Sequence, residues 1–447
     1  MVEKKINFPK DFLWGIATSS YQVEGNNNNS DWWEFEQFPG NIKTGEQSGM
    51  ATNHWNLYEE DFQLVKDMNC NIFRMSVEWS RIFPKEGEIN SKAIKHYHQM
   101  FDWLIKNNIK IMLTIHHFTL PLWFSKKGGL ENERNIVYYQ DFVRLLAKEF
   151  KEKIDYWCTI NEPIILAMLA YKWGFFPPCE KDTGKMEQVI NNLLRMHASA
   201  YKILKIKNSI KSVGIVKAVE EFIVLSNRED DHEKAKEADN VMNSSFFNSL
   251  KTGYLPYGSK EFIPNLKESF DFIGINYYHR SYISSEHFPE IFSTKLPNAD
   301  PKYLFTEHEW QPYPAGIFNI LKRVSKLTEK PIFITENGIS TENDDWRKYF
   351  IISHLIEIFR ATQNNINVKG YIHWALTDNF EWVWGFRPRF GLVHIDYNNF
   401  ERKLKESGKL YGKICSTNSI EFSDTEILIK LFPDIHESMK ISKNMFD

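Results

Sequence analysis

The sequence predicts an α/β protein that folds as a single-domain (β/α)8 TIM barrel. Short runs of apolar, β-branched and aromatic residues alternate along the chain with segments of helical periodicity, and we count eight of each. Strands that alternate with helices in this way form parallel sheets, and eight such units close into a barrel. A chain of 447 residues lies within the size range of one barrel with insertions.

The predicted elements follow from the hydrophobic pattern. Strands are expected at residues 12–18, 72–77, 110–117, 212–219, 270–276 and 368–375 and within the stretches 154–163 and 330–338, and helices at 54–68, 92–106, 137–150, 186–206, 233–250, 314–327, 346–362 and near 402–415. No linker or internal repeat divides the chain, so we expect residues 1–447 to form one domain. The barrel should occupy about 6–416 and a C-terminal extension about 417–447, with the apolar cluster 427–432 packed outside the barrel.

Composition indicates an ordinary soluble globular protein. Hydrophobic residues make up 42% and charged residues 25% of the chain, and the net charge of -3 argues against nucleic-acid or anionic-membrane partners. Because the N-terminus lacks a signal-peptide pattern and no apolar run is long enough to span a bilayer, a cytoplasmic location is expected. The four cysteines show no metal-ligand or disulfide spacing, so we expect reduced thiols, no metal and no cofactor.

Two strands carry a glutamate at their carboxyl ends. In the first, the apolar run 332–334 leads into Glu336 just before a turn at Gly338. A charged side chain at the end of a buried strand is costly, so the presence of Glu336 requires an explanation. The second, within 154–163, leads into Asn161 and Glu162. In a parallel barrel both ends open on the face where such folds do chemistry. A pair of carboxylates on that face is the arrangement that enzymes use to hydrolyse glycosides.

Other strands also end in polar or flat aromatic residues, although alone each of these is more often a core or strand-end residue. The group comprises Gln22, Arg74, His117, Asn161, Tyr278, Trp374, Glu381 and Trp382. Arg74 is unusual because it lies within an otherwise apolar strand. The convergence of so many such groups indicates a binding pocket, and the 14 Trp residues suit a site that stacks on sugar rings.

A set of ordered motifs resembles glycoside hydrolase family 1, the retaining β-glucosidases and β-galactosidases. They lie at residues 8–25, 74–82, 117–123, 159–163, 276–278, 334–338 and 374–393, so the resemblance spans roughly residues 6–416. In that family the Glu of T-x-N-E-P is the acid/base and the Glu of T-E-N-G is the nucleophile. Matched here, these are Glu162 and Glu336.

The resemblance implies an exo-acting retaining β-glycosidase for terminal β-D-glucosyl residues, with β-D-galactosyl or β-D-fucosyl residues also accepted. It implies that the sugar hydroxyls are bound by Gln22, His117, Asn161, Glu381 and Trp382. It also implies that the sugar ring stacks on Trp374, and that Phe390 has a supporting role in a segment that matches the family. Glu336 must be ionised, which we expect from Arg74 as the adjacent cation and from the Tyr278 hydroxyl. Glu162 must begin protonated, which the charge of Glu336 favours.

The sequence departs from the family pattern at two places. Phe118 stands where many relatives have Trp after the His, which is expected to loosen packing near the sugar. Cys179 replaces the Gly of a common Pro-Pro-Gly, so that loop is expected to differ. The long polar connection at 280–313 has no assigned role.

Three alternatives remain at this point. A non-catalytic sugar-binding barrel could share the fold, although this chain has both glutamates. A phospho-β-glycosidase would need cations after strand eight, where Glu381 would instead repel a 6-phosphate. A zinc hydrolase fits poorly because no His/Asp cluster has ligand spacing. Partners are expected to be small β-glycosides and oligosaccharides, and a homo-oligomer is compatible with the sequence.

Overall fold

Eight parallel strands close into a barrel in a computed structural model of the chain, which describes residues 5–206, 212–287, 292–295 and 306–425. The strands are β1 (Leu13–Ala17), β2 (Ile72–Ser76), β3 (Lys110–His116), β4 (Tyr156–Asn161), β5 (Val213–Ala218), β6 (Phe272–Asn276), β7 (Ile332–Glu336) and β8 (Val368–Trp374). Each strand pairs with its neighbours in sequence order, and β8 pairs with β1 to complete the circle. The predicted (β/α)8 fold is therefore confirmed.

The principal helices alternate with the strands. They are α1 (His54–Asp67), α2 (Ser91–Lys106), α3 (Ile136–Phe150), α4 (Thr183–Leu204), α5 (Glu229–Asp239), α6 (Ser245–Thr252), α7 (Pro314–Ser325), α8 (Asp344–Gln363) and α9 (Glu406–Thr417). Asn90 and Asn343 begin α2 and α8 by accepting hydrogen bonds from backbone N–H groups of the first turn, which satisfies donors that the helix cannot pair. None of the helices in the described ranges combines the length and the apolar surface that a membrane crossing requires.

Two predicted helices were wrong in their extent. The segment predicted as one helix at 233–250 is divided into α5 and α6 by a π-helical turn at Asn240–Ser244. The last helix begins at Glu406 rather than near Arg402, because Glu401–Leu404 forms a strand that pairs antiparallel with Val393–Asp396. The alternating exposed and half-buried side chains of Glu401–Leu404 explain why it forms a strand.

A second small sheet lies among the loops that follow the barrel strands. The long connection at 280–313 contains the strand Arg280–Ile283, which pairs in parallel with Glu221–Val224. Neither strand was predicted from the sequence. This pairing joins the loops after β5 and β6. The cluster 427–432, predicted to pack outside the barrel, lies outside the described residues.

Every strand contributes to the apolar core inside the barrel. This core contains Ala17, Ile72, Met112, Cys158, Val216, Phe272, Phe333, Ile372 and Trp374 from the strands, together with Ala375 and Phe390, and it is separate from the layer between strands and helices. The rings of Phe272 and Phe333 lie 5.3 Å apart, and Tyr156 packs on Phe333 at 5.1 Å. Close packing of large side chains inside the barrel leaves the chemistry to its carboxyl-terminal mouth.

Asn418 joins the two ends of the described chain. Its side chain accepts a hydrogen bond from Trp14 Nε1–H at 2.9 Å and donates to the carbonyl oxygens of Phe8 and Pro9 at 3.0 and 3.1 Å. Directly after it, Ser419–Glu421 pairs antiparallel with Lys5–Asn7. The segment before β1 is therefore fixed by the segment after α9.

Gly338, which follows β7, lies against the backbone of β8 and has no room for a side chain. A Cβ atom at this position would be 1.8 Å from the carbonyl oxygen of Trp374. We expect Gly338→Ala to lower the free energy of unfolding by about 3 kcal/mol or more, since backbone must shift. Urea unfolding monitored by tryptophan fluorescence measures the change.

Gly184→Ala in α4 is the matched control. Its Cβ would meet only the Asp182 side chain, at 3.2 Å, and Ala favours the helix. A Gly338→Ala variant as stable as Gly184→Ala would contradict the steric argument.

Candidate active site

The strand pairing is irregular at both glutamate-bearing strands. The pairing of β4 with β5 shifts register between Cys158 and Asn161, and the pairing of β7 with β6 shifts between Ile334 and Glu336. Such irregularities change which way the following side chains point and are common next to active sites. Without the shift, side chains would alternate strictly between the two faces of the strand, so an even or odd position alone would decide which face each one occupies. The shifts therefore help to bring Asn161, Glu162 and Glu336 to the mouth of the barrel.

Glu336 is buried and held by two donors. Its Oε1 accepts a hydrogen bond from Arg74 Nη1 at 2.5 Å, and its Oε2 accepts one from the Tyr278 hydroxyl at 2.6 Å. Burial first, and then the charge of Glu336, raise the pKa of Tyr278 well above its usual value, so this hydroxyl keeps its proton and donates. Both carboxyl oxygens of Glu336 therefore act as hydrogen-bond acceptors.

Arg74 is completely enclosed below Glu336. Besides that carboxylate, its guanidinium donates to the Thr335 carbonyl oxygen at 3.0 Å, to Asn161 Oδ1 at 2.7 Å and to Thr114 Oγ1 at 3.3 Å. Burial tends to lower the pKa of Arg74, but the Glu336 carboxylate raises it above the usual value. The structure therefore places Arg74 beside Glu336 as the sequence predicted.

Glu162 has a different environment. Among the residues that the structure describes, its side chain accepts one hydrogen bond, from the neutral donor Asn276 Nδ2 at 2.6 Å. Burial is the main cause that raises the pKa of Glu162, to about 8, and the charge of Glu336 is the second. Its backbone is left-handed, with φ of 47°, and its N–H donates to the Val216 carbonyl oxygen at 2.9 Å. The surroundings of the two carboxyl groups thus differ, because Glu336 accepts hydrogen bonds from a guanidinium and a hydroxyl whereas Glu162 is buried and has a raised pKa.

Asn276 and Thr335 are site residues that sequence reasoning missed. Thr335 Oγ1–H donates to Asn276 Oδ1 at 2.7 Å, which orients the amide so that Nδ2 points to Glu162. The two residues therefore link Glu162 to the strand that carries Glu336. Their position at the ends of β6 and β7 was the available signal, but a neutral amide or hydroxyl at a strand end is common in turns.

His117 is neutral and its protonation is fixed by its neighbours. Asn161 uses Oδ1 to accept from Arg74, so its Nδ2 faces His117 Nε2 at 3.3 Å. Nε2 is then the acceptor and Nδ1 carries the hydrogen. Burial, followed by the charges of Arg74 and His116, lowers the pKa of His117 well below its usual value. Its Nδ1–H has no partner in the described part of the protein, so it is free to donate to a ligand.

The aromatic residues after β8 pack around this imidazole. The ring of His117 lies nearly parallel to those of Trp374 and Trp382, with centroids 6.0 and 6.2 Å away. Phe118 is buried and contacts Trp382 at 5.2 Å, so the loosened packing expected at this position is absent. Trp382 also stacks on Tyr21 at 5.9 Å. The three predicted residues His117, Trp374 and Trp382 therefore form one surface.

Gln22 and Glu381 complete the polar side of the pocket. Glu381 Oε1 accepts a hydrogen bond from Trp374 Nε1 at 3.4 Å, and Gln22 Nε2 donates to Asn379 Oδ1 at 3.0 Å. Burial raises the pKa of Glu381 to about 8, with Glu336 and Asp378 adding to the increase. Near neutral pH the Glu381 carboxyl can therefore donate as well as accept hydrogen bonds.

The wall next to Glu336 consists of aromatic rings. Tyr278 contacts Phe390 at 5.9 Å and Trp310 at 5.6 Å. Trp310 lies between the rings of His279 and His308, at 4.5 and 4.4 Å. The sequence predicted Tyr278 and Phe390 in the site but gave no role to Trp310, because it lies in the long connection at 280–313.

Hydrogen bonds and ring contacts connect Glu336 with Arg74 and Tyr278, and connect Arg74 through Asn161 with His117, Trp374 and Trp382. A model of the glycosyl hydrolase family 1 matches residues 4–420. The chain belongs to glycosyl hydrolase family 1. As a member of this family it is a glycoside hydrolase of the β-glucosidase type.

Proteins similar to this family 1 enzyme match it over nearly its whole length. It is 31% identical to a 1,4-beta-D-glucan glucohydrolase of Thermotoga neapolitana, over 92% of this chain and 99% of that protein. A solved beta-glycosidase of Pyrococcus horikoshii is 38% identical with a TM-score of 0.88, covering 94% of this chain and 98% of the other. A family 1 β-glucosidase of Thermotoga maritima, in complex with isofagomine lactam, is 30% identical with a TM-score of 0.86, covering 93% and 100%.

The opposed environments of the two glutamates give a prediction for this family 1 site. Since the charge of Glu336 helps to raise the pKa of Glu162, Glu336→Gln should lower that pKa by about 1 unit or more. The pKa should stay above 4.5, because burial is the larger cause and remains. Titration of ¹³C-labelled glutamate carboxyl groups by NMR, with Glu162 assigned by its own substitution, measures the shift.

Glu401→Gln, an exposed position on the hairpin strand, is the control and should leave the Glu162 titration unchanged. An unchanged Glu162 titration in Glu336→Gln would show that the two groups do not interact.

Proposed function

We propose that this enzyme is an exo-acting β-glycosidase that retains anomeric configuration by double displacement through a covalent glycosyl-enzyme. The observation that carries the proposal is the difference between two buried carboxyl groups at one barrel mouth. Glu336 is bonded to a guanidinium and a hydroxyl, whereas Glu162 is bonded to a neutral amide. This pair has the protonation states that a nucleophile and a general acid need.

In the first step Glu336 attacks the anomeric carbon of the bound β-glycoside. A bond forms between a Glu336 carboxylate oxygen and that carbon, while the bond from the carbon to the leaving oxygen breaks. Glu162 donates its proton to the leaving oxygen and becomes a carboxylate. Tyr278 and Arg74 orient Glu336 for this attack, although the hydrogen bond to the attacking oxygen must lengthen as the ester forms.

The second step reverses the roles. Esterification removes the negative charge of Glu336, so one cause of the high pKa of Glu162 disappears. Glu162 is then a better-stabilised carboxylate and takes a proton from water as the water attacks the anomeric carbon. The ester bond breaks, the sugar leaves with its original configuration, and Glu162 is protonated again.

The terminal sugar is proposed to bind against the surface formed by His117, Trp374 and Trp382. The neutral His117 can donate from Nδ1, while Gln22 and Glu381 offer further polar groups to hydroxyls. An aromatic face suits the apolar face of a β-glucosyl ring, and we extend the proposal to β-galactosyl and β-fucosyl residues, which differ at single hydroxyls.

We also propose that the chain is one domain from residue 1 to 447.

Two alternatives are less well supported. A non-catalytic barrel would not need a buried Glu162 that lacks an ion pair, because such a group costs stability. A phospho-β-glycosidase would need a cation near Glu381, and no Lys or Arg of the described segments forms an ion pair with that side chain. We keep neither as a second proposal.

The pocket around Glu381 predicts selection against phosphorylated sugars. On nitrophenyl β-glycosides, kcat/KM should be high for glucoside, galactoside and fucoside and about tenfold or more lower for 6-phosphoglucoside. Because burial raises the pKa of Glu381 to about 8, and the 6-phosphate is already doubly ionised above about pH 7, this discrimination should increase between pH 7 and pH 9. The ratio of kcat/KM for the two glucosides, measured across that range, cancels effects of pH on the shared catalytic steps.

Glu381→Gln should remove the pH dependence of the ratio while keeping the shape of the side chain. Equal turnover of glucoside and 6-phosphoglucoside in the wild-type enzyme would contradict the role of Glu381.

The roles of the two glutamates are tested with azide. Glu336→Ala should be nearly inactive on every substrate, and added azide should attack directly to give the α-glycosyl azide. Glu162→Ala should still form the glycosyl-enzyme from a dinitrophenyl glucoside, whose phenolate leaves unassisted, and azide should then give the β-glycosyl azide. Loss of acid assistance should cost about 10² to 10⁴ in rate on alkyl glucosides or cellobiose.

Product configuration is read by ¹H NMR, and the glycosyl-enzyme by intact-protein mass. If Glu162→Ala gave the α-azide and Glu336→Ala the β-azide, the roles would be reversed. If neither variant gave an azide product of defined configuration, the double-displacement proposal would be wrong.

A further inference from the structure

Glu78 is a buried carboxyl group that the proposed mechanism does not use. It lies two residues after β2, is 0% exposed and forms no ion pair with any residue that the structure describes. Arg81, whose charge acts on it, donates instead to Glu24 Oε2 at 3.0 Å and to the Gly25 carbonyl oxygen at 2.7 Å. A buried carboxyl group without a counter-ion costs stability, so the presence of Glu78 requires an explanation.

Three hydroxyl groups from three loops meet at this carboxyl group. Ser20 Oγ, after β1, donates to Glu78 Oε2 at 3.1 Å, and Ser80 Oγ, after β2, donates to Oε1 at 2.8 Å. Thr119 Oγ1, after β3, lies 3.0 and 3.1 Å from the two carboxyl oxygens and donates to the group. Glu78 therefore links the loops that follow the first three strands of the barrel.

The hydrogen bond from Ser20 fixes the segment that carries Gln22. Ser20 begins the helical turn Ser20–Val23, and Ser19 Oγ donates to Gln22 Oε1 at 2.6 Å. Ser20 is also tied to β2, because its N–H donates to Ser76 Oγ at 2.7 Å and its hydroxyl accepts from that oxygen at 3.0 Å. The position of Ser20 therefore determines where the Gln22 side chain enters the pocket.

The hydrogen bond from Thr119 fixes the segment that carries His117. The Thr119 N–H donates to the His117 carbonyl oxygen at 2.9 Å, and Phe118 between them has a left-handed backbone with φ of 70°. These two features form a tight turn of three residues. Because the turn is short and its last residue is bonded to Glu78, movement of the Thr119 hydroxyl would move the His117 imidazole as well.

We propose that Glu78 is a positioning residue that holds Gln22 and His117 in place to bind hydroxyls of the terminal sugar. The proposal rests on the sugar site proposed above, in which Gln22 and His117 contact the substrate and Glu78 does not. Glu78 accepts hydrogen bonds from both loops at once, so neither loop can shift without breaking a bond to a buried carboxyl group. A shift of about 1 Å in a positioning group can cost up to about 10²-fold in rate.

A carboxyl group suits this role because it offers acceptor oxygens on two sides. An amide of the same shape has one acceptor oxygen and a donor nitrogen, so it cannot accept from all the hydroxyls that surround Glu78. Burial raises the pKa of Glu78, while the hydrogen bonds from Ser80 and Thr119 and the charge of Arg81 oppose the increase. The hydroxyls therefore favour the form of Glu78 that accepts at both oxygens.

Double-mutant cycles on kcat/KM for a nitrophenyl β-glucoside test the proposal. Thr119→Val removes a donor to Glu78 and should lower kcat/KM by about fivefold. In a His117→Ala background the same substitution should change kcat/KM by less than about twofold, because the side chain that it positions is gone. In a Tyr278→Phe background, which alters the contact to Glu336 instead, the fivefold loss should persist.

The other loop gives a matched cycle. Ser20→Ala should lose its effect in a Gln22→Ala background and keep it in His117→Ala. Glu78→Gln should lower kcat/KM by about tenfold and should couple to both Gln22 and His117. Glu88→Gln, at an exposed position further along the loop after β2, is the control and should leave kcat/KM unchanged.

A purely structural role predicts a different result. Losses of equal size in every background, together with a lower free energy of unfolding in urea, would overturn the proposal. If Glu78→Gln does not fold, the cycles of Thr119→Val and Ser20→Ala decide by the same criterion, since each removes a single hydroxyl.

The outcome is distinguishable from failure of the proposed function. Gln22→Ala and His117→Ala test the sugar site by themselves. If each lowers kcat/KM but neither couples to Glu78, the role of Glu78 alone is rejected. If neither lowers kcat/KM, the sugar site on which the role rests is rejected as well.

Discussion

The active-site end of the barrel depends on one buried cation. Arg74 lies on β2 and bonds across the interior to β3, β4 and β7, through Thr114, Asn161 and the end of β7 at Thr335 and Glu336. A guanidinium this deeply buried is tolerated because its donors are paired and because one partner is a carboxylate. The dependence is mutual, since loss of either charge leaves the other buried without a counter-ion. Catalytic geometry and stability of the barrel mouth therefore share one interaction.

The same cation sets protonation states at some distance. By engaging Asn161 Oδ1, Arg74 turns the amide so that Nδ2 meets His117 and fixes the imidazole tautomer. By pairing with Glu336 it leaves Glu162 to a neutral amide, so that burial dominates there. Two glutamates of identical chemistry thus have different surroundings, and burial raises the pKa of Glu162 to about 8. The difference arises from hydrogen-bond geometry and burial rather than from residue type.

The fold and most site residues were predictable because parallel strands end on one face. Glu162 and Glu336 could be placed together because each lies at the carboxyl end of a strand, and Arg74 stood out as a charge within an apolar strand. The register shifts at β4 and β7 were not predictable, since they depend on pairing with neighbouring strands. Asn276 and Trp310 were missed because an amide at a strand end and an aromatic residue in a long connection are common in any protein. The strand Glu221–Val224 was missed because its partner lies in that same connection.

The contacts of Asn418 with the N-terminal segment affect how the protein folds during its synthesis. Trp14 and Asn418 are 404 residues apart in sequence, yet they share a hydrogen bond, and β1 pairs with β8. The ribosome synthesises β1 long before β8 and Asn418, so the edge of β1 that pairs with β8 stays unpaired for most of translation. Contacts between such distant residues also slow folding after release. Closure of the barrel is therefore a late event, and the newly made chain needs protection from aggregation until its last helix has been synthesised.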